Sequence, residues 1–195
     1  MVAKASRTRS AILQHAADRA STDGLEGLTI GGLAGEVEMS KSGVFAHFGS
    51  KQGLQLAVVE HAAGRFTEEV VAPAQHLPAG AERLHAYCER YLDYLEHNVF
   101  AGGCFWAAAG CEFDDRPGPV RDAIAAGVRA WLGELEQHAR LAGLPQPAEV
   151  AFTIYSLGLG ANACARLLGD EGAFARTREG VARLLRGGEP RTSKR

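Results

Sequence analysis

The chain has 195 residues, 46% of them hydrophobic and 23% charged, so it can bury a core of one or two small domains with the balance of an ordinary soluble globular protein. Its formal net charge of −2 supplies no global field toward nucleic acid, so any such binding has to come from a local arrangement. The longest uncharged run, residues 150–165, carries Thr153, Ser156 and Asn162 and is too short and polar for a membrane span, and the first apolar run ends at His15 with no cleavage-site pattern after it.

Alanine, leucine and glutamate are common and alternating β-pattern is scarce, so the sequence predicts an all-α fold of about nine helices. Residues 1–7 read as a loose, mildly basic arm. A first helix is expected over residues 9–21, with Ile12, Leu13, Ala16, Ala17 and Ala20 on its inner face. Thr29 can cap a second helix over 30–37, and Ser40 a third over 41–47. Leu25, Leu28, Met39 and Phe48 would close a small core with them. A fourth helix can run from Ser50 to about residue 72, where Pro73 stops it; about 22 residues at 1.5 Å rise give roughly 33 Å, enough to belong to two domains.

Beyond the linker at 77–80, five more helices are expected, over 82–97, 104–112, 120–142, 148–168 and 173–186. The domain reading is therefore a three-helix unit over 1–50, a helical unit over 51–188 connected by helix four (51–72), and a polar tail over 189–195. The four cysteines, Cys88, Cys104, Cys111 and Cys164, have no zinc-ribbon or redox-motif spacing, which fits free thiols in a reducing cytoplasm. Cys104 and Cys111 are seven apart, with His97, Glu112 and Asp114 near; a metal or oxidant site is one reading, and buried structural cysteines the plainer one.

The third helix carries most of the functional information. Its first turn, Lys41-Ser42-Gly43, is small, polar and cationic, and Val44, Phe45 and Phe48 supply its apolar contacts. A short helix with such an amino end, held behind a tight turn, suits insertion into the major groove of DNA. Lys41 can donate to guanine or phosphate, Ser42 is small enough to reach a base edge, and Gly43 lets the backbone approach closely. Over residues 1–51 there are six basic and five acidic side chains, so charge alone does not suggest DNA and the motif carries the reading. The plainer alternative is a helical hairpin inside a bundle.

Leu28-Thr29-Ile30, Leu33-Ala34, residues 39–45, His47-Phe48 and Ser50-Lys51 together resemble the DNA-binding module of the TetR family of transcriptional regulators. The match is specific over roughly residues 8–60; beyond them the likeness is one of length and helical layout. The resemblance implies base contacts from Lys41, Ser42 and Gly43 and phosphate contacts from Thr29, Ser40, His47 and Lys51. The chain departs from the family in two ways. Phe45 stands where a tyrosine is usual, so the hydroxyl is missing and the ring is expected in the core. Gly31, Gly32 and Gly53 open helices two and four where an acid is common, which predicts a less stable DNA-reading unit.

In the second unit, Ser156, Gly160, Ala163 and Leu167 share a face of helix eight, beside Phe152 and Leu159. With helix nine, the resemblance implies a four-helix homodimer interface; an ordinary core helix is the alternative. The aromatic residues Tyr91, Phe105, Trp106, Trp131 and Tyr155 are the candidates for an effector pocket, and a small, largely apolar organic molecule the expected ligand. No nucleophile–base set, phosphate loop or metal cluster rises from the sequence, so no enzyme, cofactor or metal is expected. The leading expectation is a cytoplasmic repressor that binds a palindromic operator as a dimer and is released by its effector. The alternative is a helical small-molecule-binding or interaction protein without DNA binding.

Overall fold

The computed structural model describes the backbone of residues 2–187 and the side chains of residues 8–187; the tail expected at 189–195 lies outside them. Nine α-helices fill the described residues: α1 Val2–Asp23, α2 Ile30–Glu36, α3 Lys41–Phe48, α4 Lys51–Phe66, α5 Ala81–Glu96, α6 Phe105–Phe113, α7 Pro119–Leu141, α8 Pro147–Leu168 and α9 Ala173–Leu185. By contact the chain divides into two units. One holds residues up to Phe66 together with Asn98–Val128, and the other holds Thr67–His97 together with residues from Arg129 onward. The first unit thus takes in α4, α6 and the start of α7 besides the first three helices, with α4 and α6 both packed on α1.

In the first unit α1 buries the face its periodicity marks, Ile12, Leu13, Ala16, Ala17 and Ala20. It begins at Val2 rather than near residue 9, since Ala3, Lys4, Ala5 and Arg7 are good helix formers and no glycine or proline interrupts them. Gly24, at φ +89°, ends it, with its amide on the Ala20 carbonyl at 3.1 Å. Leu25, Leu33, Val44, Leu54 and Val58 are each at most 3% exposed and form the centre of the unit. Burying a side chain of this size contributes about 1.5–3 kcal/mol. From α1, His15 and Arg19 both reach Glu36 at the end of α2, the former at 2.7 Å; these bonds hold the Glu36 carboxyl below its usual range, His15 foremost.

α4 keeps α-helical geometry only to Phe66. Thr67–Val71 form a wide π-turn and Ala72–Ala74 a 3₁₀ turn that contains Pro73. Proline has no amide hydrogen and its ring excludes the carbonyl four residues earlier, so the regular ladder is lost before residue 73 rather than at it.

In the second unit α5 buries Leu84, Tyr87, Cys88, Tyr91, Leu92, Tyr94 and Leu95. Arg178 of α9 reaches Asp93 and Glu96 of α5 at 2.7 Å each and Glu89 at 3.5 Å, locking the two helices side by side. Gly158 of α8 lies under Tyr91. A methyl group there would sit 2.3 Å from the ring, so only glycine lets α8 come this close. No described helix is long and apolar enough to cross a membrane.

Candidate nucleic-acid interface

Three hydroxyl caps set the geometry of the first unit's surface. Thr29 Oγ1 accepts the Gly32 amide at 3.0 Å, Ser40 Oγ accepts the Gly43 amide at 3.1 Å, and Ser50 Oγ accepts the Gly53 amide at 2.9 Å. Each satisfies one of the amides that a helix start leaves without a partner. Between α2 and α3 the chain turns at Glu38, which takes φ +52°, and the Met39 amide returns to the Ala34 carbonyl at 3.0 Å. At its far end α3 stops at Gly49, φ +71°, whose amide donates to the Phe45 carbonyl at 2.7 Å.

The rotation of α3 about its axis is fixed by Val44 and Phe48, which are buried four residues apart. Lys41, Ser42, Phe45 and Ala46 are therefore exposed, and Gly43 and His47 lie half-buried at the margin. Ser42 Oγ is 3.2 Å from Ser40 Oγ, and His47 tilts against Phe48 with ring centroids 6.0 Å apart. Phe45 is 54% exposed, which corrects the expectation that it belongs to the core. One residue past Val44 is a rotation of about 100°, and that carries the ring out of the buried face.

Of the expected phosphate contacts, Thr29 and Ser40 are exposed caps and His47 is half-buried. Lys51 is already paired, at 2.7 Å, with Glu26. Glu26 also accepts from Gln55 Nε2 at 3.0 Å, and Lys51 foremost keeps its carboxyl below the usual range. Gly53 is not a weak substitute for an acid. A methyl group there would stand 2.1 Å from the Phe48 carbonyl oxygen, so the passage from α3 into α4 requires glycine.

Two anchors of this surface were invisible in the sequence. Glu112, on α6, accepts the Leu25 amide at 2.7 Å and the Glu26 amide at 3.1 Å, capping the corner between α1 and α2. Before α6, the Ala101 amide donates to Asp18 at 3.1 Å and the Gly102 amide to Ser21 Oγ at 2.7 Å. Sequence separations above eighty leave no local signal for such pairs.

The five candidate effector residues fall in different units. Phe105 and Trp106 are buried edge-to-face in the first, centroids 5.7 Å apart, beside Phe100. Tyr91 and Trp131 are buried in the second at 5.4 Å, with Tyr155 half-buried. On α8, Phe152, Ser156, Gly160, Ala163 and Leu167 are all exposed, with Leu159 half-buried beside them. Phe152 is 64% and Leu167 83% exposed. Cys104 precedes α6 and is buried, whereas Cys111 is exposed on it, so the two share no face. Burial pushes the Cys104 thiol up to about 11 and the Cys88 thiol up to about 12, out of the reactive range. Among the described residues no group of three or more His, Cys, Asp and Glu could hold a metal ion.

A capped positioning helix, a tight turn and a short second helix with an exposed polar amino end define a helix-turn-helix module on an all-α chain. Two family models match: "Bacterial regulatory proteins, tetR family" over residues 12–58, and "Tetracyclin repressor-like, C-terminal domain" over residues 80–181. No curated protein matches the sequence. Solved structures share the fold. A TetR transcriptional regulator from Chloroflexus aurantiacus is 22% identical, with a TM-score of 0.81 over 92% of this chain and 94% of its own. One from Cytophaga hutchinsonii is 21% identical, at 0.80 over 94% and 95%. AibR, crystallised with isovaleryl coenzyme A and operator DNA, is 22% identical, at 0.71 over 90% and 96%. The chain belongs to the TetR family: it is a DNA-binding transcriptional regulator, not an enzyme.

Proposed function

We propose that this regulator is a repressor that binds a palindromic operator as a homodimer and is released by a small, largely apolar organic effector. The observation that carries the reading is the exposed arc of α3, where Lys41 and Ser42 stand clear of the protein at the capped amino end. In this reading Lys41, Ser42 and Gly43 meet base edges. Thr29, Ser40, His47 and Lys51 meet phosphates, with Lys51 exchanging Glu26 for a phosphate oxygen. The formal net charge of −2 gives no global attraction to nucleic acid, so in this reading contacts at α3 decide where the protein sits.

The exposed stripe of α8, from Phe152 through Ser156, Gly160 and Ala163 to Leu167, is the proposed twofold interface, completed by α9. A methyl group added at Gly160 would meet nothing within 4 Å in the single chain, which leaves room for a partner helix to approach closely. Two copies of α3 would then read half-sites about 34–36 Å apart, or a multiple of that. Tyr91, Trp131 and Tyr155, all of the second unit, are the proposed effector residues. AibR, of the same fold, was crystallised in complex with isovaleryl coenzyme A and operator DNA, which supports a small-molecule site and an operator site on one chain of this fold. Effector binding acts by favouring a conformation with lower operator affinity.

The test is a gel shift on the DNA flanking the protein's own gene at two salt concentrations, with light scattering on the free protein. A dimer whose affinity drops steeply with salt is expected. A monomer at micromolar concentration, or no shifted band at low salt, would refute it.

A further inference from the structure

Phe45 is the large apolar side chain on the exposed face of α3, and the burial of Val44 and Phe48 prevents the helix from rolling it inward. At about 100° per residue it lines up with Lys41 one turn before it, with Ser42 and Ala46 beside it. All four are exposed. The face offered to a duplex is thus half polar, Lys41 and Ser42, and half apolar, Phe45 and Ala46.

A phenyl ring has neither donor nor acceptor. Against the hydrogen-bonding edges of guanine, cytosine or adenine it would displace water from polar atoms and return nothing. The major-groove edge carries one apolar group, the C5-methyl of thymine. We infer that Phe45, with Ala46 beside it, packs on thymine methyl groups, so that this protein recognises its operator partly by apolar contact one turn beyond the Lys41 contact. The inference rests on the DNA-reading role proposed above and specifies what that role selects: a half-site with thymine at the position facing Phe45.

The experiment uses the full-length protein and a binding site selected from a randomised duplex library. Each thymine of the selected site is replaced by uracil in both half-sites, which removes only the methyl group, and affinity is read by fluorescence anisotropy at fixed salt. For the parent, replacement of the thymine facing Phe45 is expected to weaken binding by about fourfold per half-site, the value of one buried methyl-sized group. F45A is expected to bind the thymine and uracil duplexes alike at that position, with melting temperature unchanged because the ring is exposed. Three results overturn the inference and leave DNA reading intact: no uracil replacement weakens the parent; F45A keeps the parent's sensitivity at every position; or F45A leaves affinity for the thymine duplex unchanged. Failure to select any sequence overturns the DNA-reading role and this inference with it.

Discussion

The carboxylate of Glu112 is bonded to the backbone amides of Leu25, at 2.7 Å, and Glu26, at 3.1 Å, so a side chain of α6 closes the corner between α1 and α2. Glu26 in turn holds Lys51 and Gln55 at the start of α4. Two bonds and one shared residue therefore tie α6 to the helices that place α3.

Removing the carboxylate leaves two amides without their acceptor. Glu112→Ala is expected to destabilise the first unit by about 2–3 kcal/mol, the range for charge-assisted bonds of this kind. Glu112→Gln, which keeps one acceptor oxygen, should lose less. Urea titration followed by circular dichroism checks both; equal stability of Glu112→Ala and the parent would show that water replaces the carboxylate without cost.

The glycines of α2 and α4 are expected to divide by local space. Gly35, in α2, has nothing within 4 Å of where a methyl would go, and Gly35→Ala should raise stability by up to about 1 kcal/mol through helix propensity. Gly53→Ala would press on the Phe48 carbonyl oxygen and should cost about 1–3 kcal/mol. Thermal melts of the two variants should move in opposite directions.

Much of the first unit was readable because its signals are local. Ile12, Leu13, Ala16, Ala17 and Ala20 repeat at helical spacing, and Thr29, Ser40 and Ser50 stand where caps belong; all behave as the pattern says. Phe45 was misplaced because an aromatic residue beside Val44 reads as core until the rotation of so short a helix is known. Gly53 read as a stability defect because the approach of the Phe48 carbonyl is set by the angle between α3 and α4. Glu112 carried no signal, since its partners are more than eighty residues away. The early end of α4 was hidden because Pro73 marks where a ladder cannot continue, not how far upstream it widens.

In the second unit, acid should act through His138. This ring is 2% exposed, and its Nδ1 faces the Gly80 amide at 3.2 Å as an acceptor, which only the neutral imidazole can be. Burial, and then the charge of Arg83, lower its pKa from 6.5, with Glu134 opposing them. A folded-state pKa below the unfolded value means that the stability is fully present above about pH 6.5 and is lost as pH falls from there through the folded pKa. Melting temperature should fall over that window, and His138→Gln should flatten the fall. An unchanged pH profile in the variant would assign the acid sensitivity elsewhere.

The α8 interface can be tested where the single chain has room. Gly160→Trp places a large ring into space that is open in one copy and filled by the partner in the proposed dimer. It should yield a folded monomer by light scattering, with normal helix content. A dimer of unchanged size would move the interface away from this face.

The most direct test of α3 as the reading element is the ratio of affinities for the selected operator and a scrambled duplex, measured for the parent and for Lys41→Ala at one salt concentration. Lys41 is exposed, so the variant should fold as the parent does. The ratio is expected to fall toward one in Lys41→Ala, by about 1–3 kcal/mol in free-energy terms, while binding to the scrambled duplex persists. A Lys41→Ala protein that keeps the parent's ratio would contradict the assignment.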